Sequence, residues 1–171
     1  AVHYIEAERK GRDRADLKEY KVKMSFAFCF NNENHQIEYY HNSSFLEHGG
    51  APDKAGRNAF VYAIDQYLKQ NGKYTKNESK IQFADVADSL LLVSNSLSTM
   101  TSYENQTKKA ITNKFIQDAM TEFLREQLGV YFIENKMDAE KLCGQVLVNK
   151  RSRESAERTR INVKKKLGGN I

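Results

Sequence analysis

Proline occurs once, cysteine twice and tryptophan not at all in this chain of 171 residues. No apolar run approaches the roughly 18 residues of a membrane span, so no membrane association is expected. The charged N-terminal stretch also lacks the apolar core of a secretion signal. Cys29 and Cys143 stand alone, without the CxxC spacing of a zinc knuckle or the density of a disulfide framework. They read as free thiols in a reducing cytoplasm. His3, His35, His41 and His48 show no metal-ligand spacing, so no metal site is expected. Gly49-Gly50 lacks the strand–GxxxxGK[ST]–helix setting of a phosphate loop and reads as a turn. Neither a GxSxG elbow nor an HExxH motif occurs. Standing alone, the chain offers no catalytic constellation.

What is present is an ordinary globular composition, 40% hydrophobic and 29% charged, long enough for one domain with a core. The net charge of +5 is unevenly spread: Lys150 to Lys166 holds eight basic and two acidic residues, a net of +6, leaving −1 for the remainder. A stripe carrying Lys150, Arg151, Arg153, Arg158, Arg160 and Lys164 can follow a phosphate backbone and release its counterions. It can equally be a solvated helix face, with Glu154 and Arg158 paired at i,i+4. Composition leaves both readings open.

Residues 1–19 are polar and read as an irregular lead-in segment. From Tyr20 the pattern alternates, with Val22, Met24, Phe26, Phe28 and Phe30 on one side and Lys21, Lys23, Ser25, Ala27 and Cys29 on the other. Period two with aromatics predicts a half-buried strand. The NNEN at 31–34 is turn chemistry, and Ile37, Tyr39 and Tyr40 suggest a second strand closing a hairpin. HGGAP at 48–52 breaks the sheet. Pro52 suits the first turn of a helix whose inner side is Phe60, Ile64, Tyr67 and Leu68, stopping at Gly72. A helical turn over 83–88 precedes Leu90–Val93, an apolar run that predicts a strand covered on both faces. The polar stretch 94–106 reads as an exposed loop. After Lys109 comes a long amphipathic helix with Phe115, Ala119, Met120, Phe123, Leu124, Leu128 and Tyr131 inward, ending near 134–136. Asp138 is the expected N-cap of a last helix, apolar through Leu142, Val146 and Leu147 and then charged enough to leave the domain. Two strands, helix, short helix, strand and two helices make an α+β domain, with a small sheet and helices on one face.

One loop stands out. Tyr103-Glu104-Asn105-Gln106-Thr107-Lys108 precedes the long helix, and a lysine there is a compact charge on a flexible stem, suited to a terminal phosphate. SYENQTK on a loop after a strand resembles the F-(E/D)-(G/S)-QTK element of type IIA DNA topoisomerases, the gyrase and topoisomerase IV ATPase subunits. Further resemblance lies in Gly49-Gly50 opening a helix, in AGRNAFVYAIDQYLKQNG at 55–72, in the strands at 20–42 and in the arginine-rich RSRESAERTR. Ala51-Pro52 replaces the family's Thr-His, Asn105 stands where Gly or Ser is usual, and Lys109-Ala110-Ile111-Thr112 departs from its KLG continuation, with Asn113 aligning. The chain is thus similar to a divergent member.

The resemblance implies the transducer domain, a ribosomal protein S5 domain 2-like α+β fold with a small mixed sheet and a long C-terminal helix. The implied division is a lead-in at 1–19, the transducer at 20–136 and a basic helix at 137–171 leading toward the cleavage core. It further implies that Gln106 and Lys108 contact the γ-phosphate of ATP, Lys108 as the catalytic group. ATP and Mg²⁺ would be bound mainly by a preceding GHKL domain whose motifs are absent here, as is any assignable cleavage tyrosine. The implied partners are duplex DNA, a second B subunit and the DNA-cleaving A subunit of a cytoplasmic heterotetramer. This reading requires the Lys108 ammonium to be exposed, at the sheet end where the chain comes in. The competing classes are a non-enzymatic nucleic-acid-binding module that uses the basic stripe alone, and the second domain of a MutL-type GHKL ATPase.

Overall fold

The computed structural model describes residues 1–169, so the last two residues of the expected 137–171 helix lie outside it. Its first element corrects the irregular lead-in. His3–Gly11 is a strand, β1, paired antiparallel along its whole length with β2 (Tyr20–Phe30). It escapes pattern reading because it is an edge strand, with Tyr4, Glu6, Glu8 and Lys10 facing solvent and Ile5 alone buried. Charged side chains on an edge discourage pairing with other chains.

β2 alternates as expected, burying Val22, Met24, Phe26 and Phe28. The expected hairpin with β3 (Gln36–His41) does not form. β2 pairs instead with β6 (Leu90–Ser98), and β3 lies parallel to β6 on its far side. Residues 31–35 therefore step over one strand position, about 10 Å. A parallel neighbour demands a crossover connection, and α1 (Ala51–Gln70) with α2 (Phe83–Ala87) provides it. With β4 (Ser44–Phe45) the sheet order is β1-β2-β6-β3-β4.

β6 brings two further corrections. It runs through Ser98, into the stretch expected to be loop, and only one of its faces is covered: Leu90, Leu92, Ser94 and Ser96 are buried while Val93 and Leu97 are each 41% exposed. The alternation continues past Val93, but with serine inward and apolar residues outward, so hydropathy conceals it.

α1 and α3 (Lys114–Glu134) form one layer on the inner face of the sheet. Phe28 meets Phe60 of α1 and Tyr131 of α3 edge to face, at centroid distances of 5.6 and 5.7 Å. Burying one such phenylalanine contributes roughly 1.5–3 kcal/mol. α4 (Lys136–Gly169) starts earlier than expected, so Asp138 sits in its first turn instead of capping it. Ala139, Leu142, Cys143, Val146 and Leu147 are buried, whereas from Ser155 to Gly168 every residue is exposed. The helix leaves the domain as its loss of apolar positions predicts, over a total length of about 50 Å.

Candidate functional site

The stretch 99–109 leaves β6 and returns through β7 (Ala110–Ile111), which pairs in parallel with β5 (Gly49–Gly50). The glycine pair is thus more than a turn. Gly50 has φ +77°, and a Cβ there would fall 2.2 Å from the Ile111 carbonyl oxygen, so only glycine brings the start of α1 this close to the loop. The loop base is closed by the His48 N–H donating to the Lys109 carbonyl at 2.9 Å, by the Glu104 N–H donating to the Ala110 carbonyl at 2.9 Å, and by an ion pair of Lys109 with Glu47 at 2.9 Å.

At the tip, the Asn105 side chain accepts hydrogen bonds from the Thr107 N–H at 3.0 Å and from the Thr107 hydroxyl. This local turn explains an asparagine at that position. Lys108 follows with φ +58°, a left-handed conformation that costs a lysine on the order of 1 kcal/mol. Its side chain is exposed, its Nζ lies 5.8 Å from the Tyr103 ring centroid, and among the described residues it has no carboxylate partner. Gln106 is exposed beside it. Both groups can meet an anion without first breaking a bond.

Their exposure is as expected, but the sheet end is not, and that expectation is corrected. The loop follows Ser98, which lies opposite Val22, so it sits at the Tyr20 end of β2, where a domain starting at residue 20 would begin. β1 adds one more pass. His3 lies beside Phe28, so the chain comes in at the opposite end, about 30 Å away. α4 is anchored at that far end as well, and Ala1, Phe30, Ser89, Asp138 and Leu142 line one crevice there.

The basic stripe divides. Lys150 is fully buried: its Nζ lies 2.9 Å from Glu78 and 3.4 Å from Glu154, over the Tyr74 ring. It cannot meet a nucleic-acid phosphate, which corrects its place in that set. Arg151 holds both carboxylate oxygens of Glu78, and Arg153 holds those of Asp85. The Arg151 guanidinium first, with Lys150 behind it, keeps the Glu78 carboxyl far below the usual range against the opposing effect of burial. Asn149 donates to the Asp85 carbonyl and to the Ser89 hydroxyl, both at 3.0 Å. Positions 149–154 are therefore a clamp. Arg158, Arg160 and Lys164 lie beyond it, exposed and without ion-pair partners among the described residues.

Sequence reasoning missed His41. Its ring is buried between Ser96 Oγ at 2.7 Å and Thr101 Oγ1 at 2.8 Å, and burial lowers its pKa. With Asn42, whose amide holds the backbone N–H and C=O of Ser98, it fastens the start of the loop. A lone histidine among tyrosines gives no periodic signal. Burial pushes the Cys143 thiol up to about 12, so it is no nucleophile.

A family model described as DNA gyrase B matches residues 2–162. The chain belongs to that family. Within the gyrase B family it is 27% identical over 146 residues to the DNA gyrase B subunit of Mycoplasma genitalium, covering 82% of this chain and 22% of the relative. Against the DNA gyrase B subunit of Thermotoga maritima it is 24% identical over 165 residues, covering 96% and 26%. The chain thus spans about a quarter of the length of these relatives, and it is a divergent member. The 43K ATPase domain of Thermus thermophilus gyrase B, in complex with an aminocoumarin, superposes with TM-score 0.71 at 20% identity, covering 91% of this chain and 40% of that one. The topoisomerase IV ATP-binding domain of Francisella tularensis, in complex with a small-molecule inhibitor, gives 0.69 at 21% identity, covering 77% and 36%. These likenesses agree with the α+β, S5-like fold.

Proposed function

We propose that this segment is the transducer of an ATP-dependent type II DNA topoisomerase B subunit, coupling nucleotide hydrolysis in a neighbouring GHKL domain to movement of a DNA gate. The observation that carries the reading is Lys108, exposed, without a carboxylate partner among the described residues and held in left-handed backbone on a loop tied at both ends. Its ammonium and the Gln106 amide offer donors to the γ-phosphate of ATP. Lys108 stabilises charge there and moves no proton. That contact exists only while the outermost phosphoryl is in place, so the two nucleotide states differ in contact energy, as a shift in conformation requires. The nucleotide-holding body must reach along the sheet to the Tyr20 end, about 30 Å, the diameter of a small domain.

The exposed run with Arg158, Arg160 and Lys164 supports contact with duplex DNA. Among the described residues no three His, Cys, Asp or Glu side chains converge as a cation site. Mg²⁺ would accompany ATP on the neighbouring domain. The assembly would be a B-subunit dimer with DNA-cleaving A subunits, working in the cytoplasm.

In the intact subunit, Lys108→Ala is expected to remove about 2–4 kcal/mol of transition-state stabilisation, a fall of roughly a hundredfold in ATP turnover. A steady-state rate within about twofold of wild type would remove the role.

A further inference from the structure

Beneath the Lys108 loop lies a buried polar knot. Asn113 is 2% exposed, and both ends of its amide are hydrogen-bonded. Its Oδ1 accepts the Ser102 N–H at 2.8 Å, and its Nδ2 donates to Asp13 Oδ2 at 3.1 Å, to Tyr20 Oη at 3.1 Å and to the Met100 carbonyl at 3.4 Å. Asp13 also accepts the Tyr20 hydroxyl at 2.7 Å and the Phe115 N–H at 3.0 Å. Although Asn113 stands at the N-cap position of α3, its own side chain makes no cap bond. Asp13, a hundred residues away in sequence, satisfies the helix start instead and places a negative charge where the macrodipole favours it. Four parts meet here: the β1–β2 turn, the start of β2, the loop and the first turn of α3.

We infer that Asn113, held by Asp13 and Tyr20, is a positioning residue for Lys108 and the joint through which displacement of the loop is passed to α3. This inference rests on the phosphate-sensing reading of Lys108. A loop fastened to a helix start by two hydrogen bonds to one buried amide, itself braced by Asp13 and Tyr20, cannot shift without either moving that helix or exposing buried polar groups. The loop base is thereby held in register with α3, which runs the length of the sheet to the α4 junction at Asn135. Misplacing the ammonium by about 1 Å is enough to cost a large factor in rate.

The test is a double-mutant cycle on ATP hydrolysis in the intact subunit, with Lys108→Ala, Asn113→Ala and the pair, and with Tyr20→Phe as a milder variant that keeps the ring packing. Asn113→Ala is expected to lower kcat about tenfold or more, with KM for ATP changed less than about twofold. In the Lys108→Ala background it should add almost nothing, because its effect runs through that lysine. Tyr20→Phe should show the same kcat-only pattern at smaller amplitude, and it decides the matter if Asn113→Ala does not fold. Additive losses, or a kcat within about twofold for either folded variant, would overturn the positioning role while leaving Lys108 in place. If Lys108→Ala itself had no effect, both this inference and the reading beneath it would fall.

Discussion

The ionisation of Glu78 is set by its neighbours. Its carboxylate is shared by Lys150 and Arg151, and the ammonium of Lys150 is wholly removed from solvent. Removing one partner of a buried pair costs about 3–5 kcal/mol when the remaining charge is uncompensated; Glu154, 3.4 Å from the Lys150 ammonium, makes that an upper bound here. Glu78→Gln is therefore expected to lower the unfolding free energy by up to about that amount in urea titrations. The pH dependence follows in sign. A carboxyl whose pKa is depressed on folding stabilises the fold above its unfolded value and loses that contribution as pH falls toward the folded one. Stability should decline as pH drops below about 4.5, the ordinary value for this group, and Glu78→Gln should flatten that decline. Composition places Lys150 among DNA-binding candidates because a lysine in a basic run carries no mark of burial. Only the loop over 73–82, which folds back to set Glu78 against it, reveals it.

Among the elements, β2 and the long helices are legible because their inward residues are apolar at the right period. β1 and the second half of β6 are not. The one is a charged edge, and the other turns Ser94 and Ser96 inward, the latter to serve His41. Topology is less legible still, since alternation in β2 and β3 says nothing about which strand separates them. The loop motif is visible by resemblance, while His41 and Asn42 fasten it through partners 55 to 60 residues away, and Asn113 ties it to Tyr20 and Asp13, 93 and 100 residues away. For α4, the division into clamp and free arm makes a prediction. Changing Arg158, Arg160 and Lys164 together to Gln should weaken binding of duplex DNA and reduce the slope of log K against log salt by up to about 0.9 per lost phosphate contact. Lys150→Met should leave that slope unaltered. Fluorescence anisotropy over a salt series distinguishes the two.

For the whole molecule, the Lys108 loop lies at one pole of the sheet, and both the incoming strand and the clamp of α4 lie at the other. α3 connects them. β1 is consequently part of the domain and no mere lead-in, because it pairs with all of β2 and ends near Asp13, which serves the start of α3. A chain beginning at Tyr20 is expected to lose cooperative thermal unfolding, since the lost pairing and the orphaned helix start rival a typical total stability of about 5–15 kcal/mol. A sharp calorimetric transition in that shortened chain would contradict the placement.

Because β1 begins at the pole from which α4 departs, traction exerted on the two flanks would not load the β1–β2 ladder in shear. It would peel the ladder like a zipper, one rung after another from His3 and Phe28 toward Gly11 and Tyr20, and the last rungs to yield would be those beside the Asp13 knot.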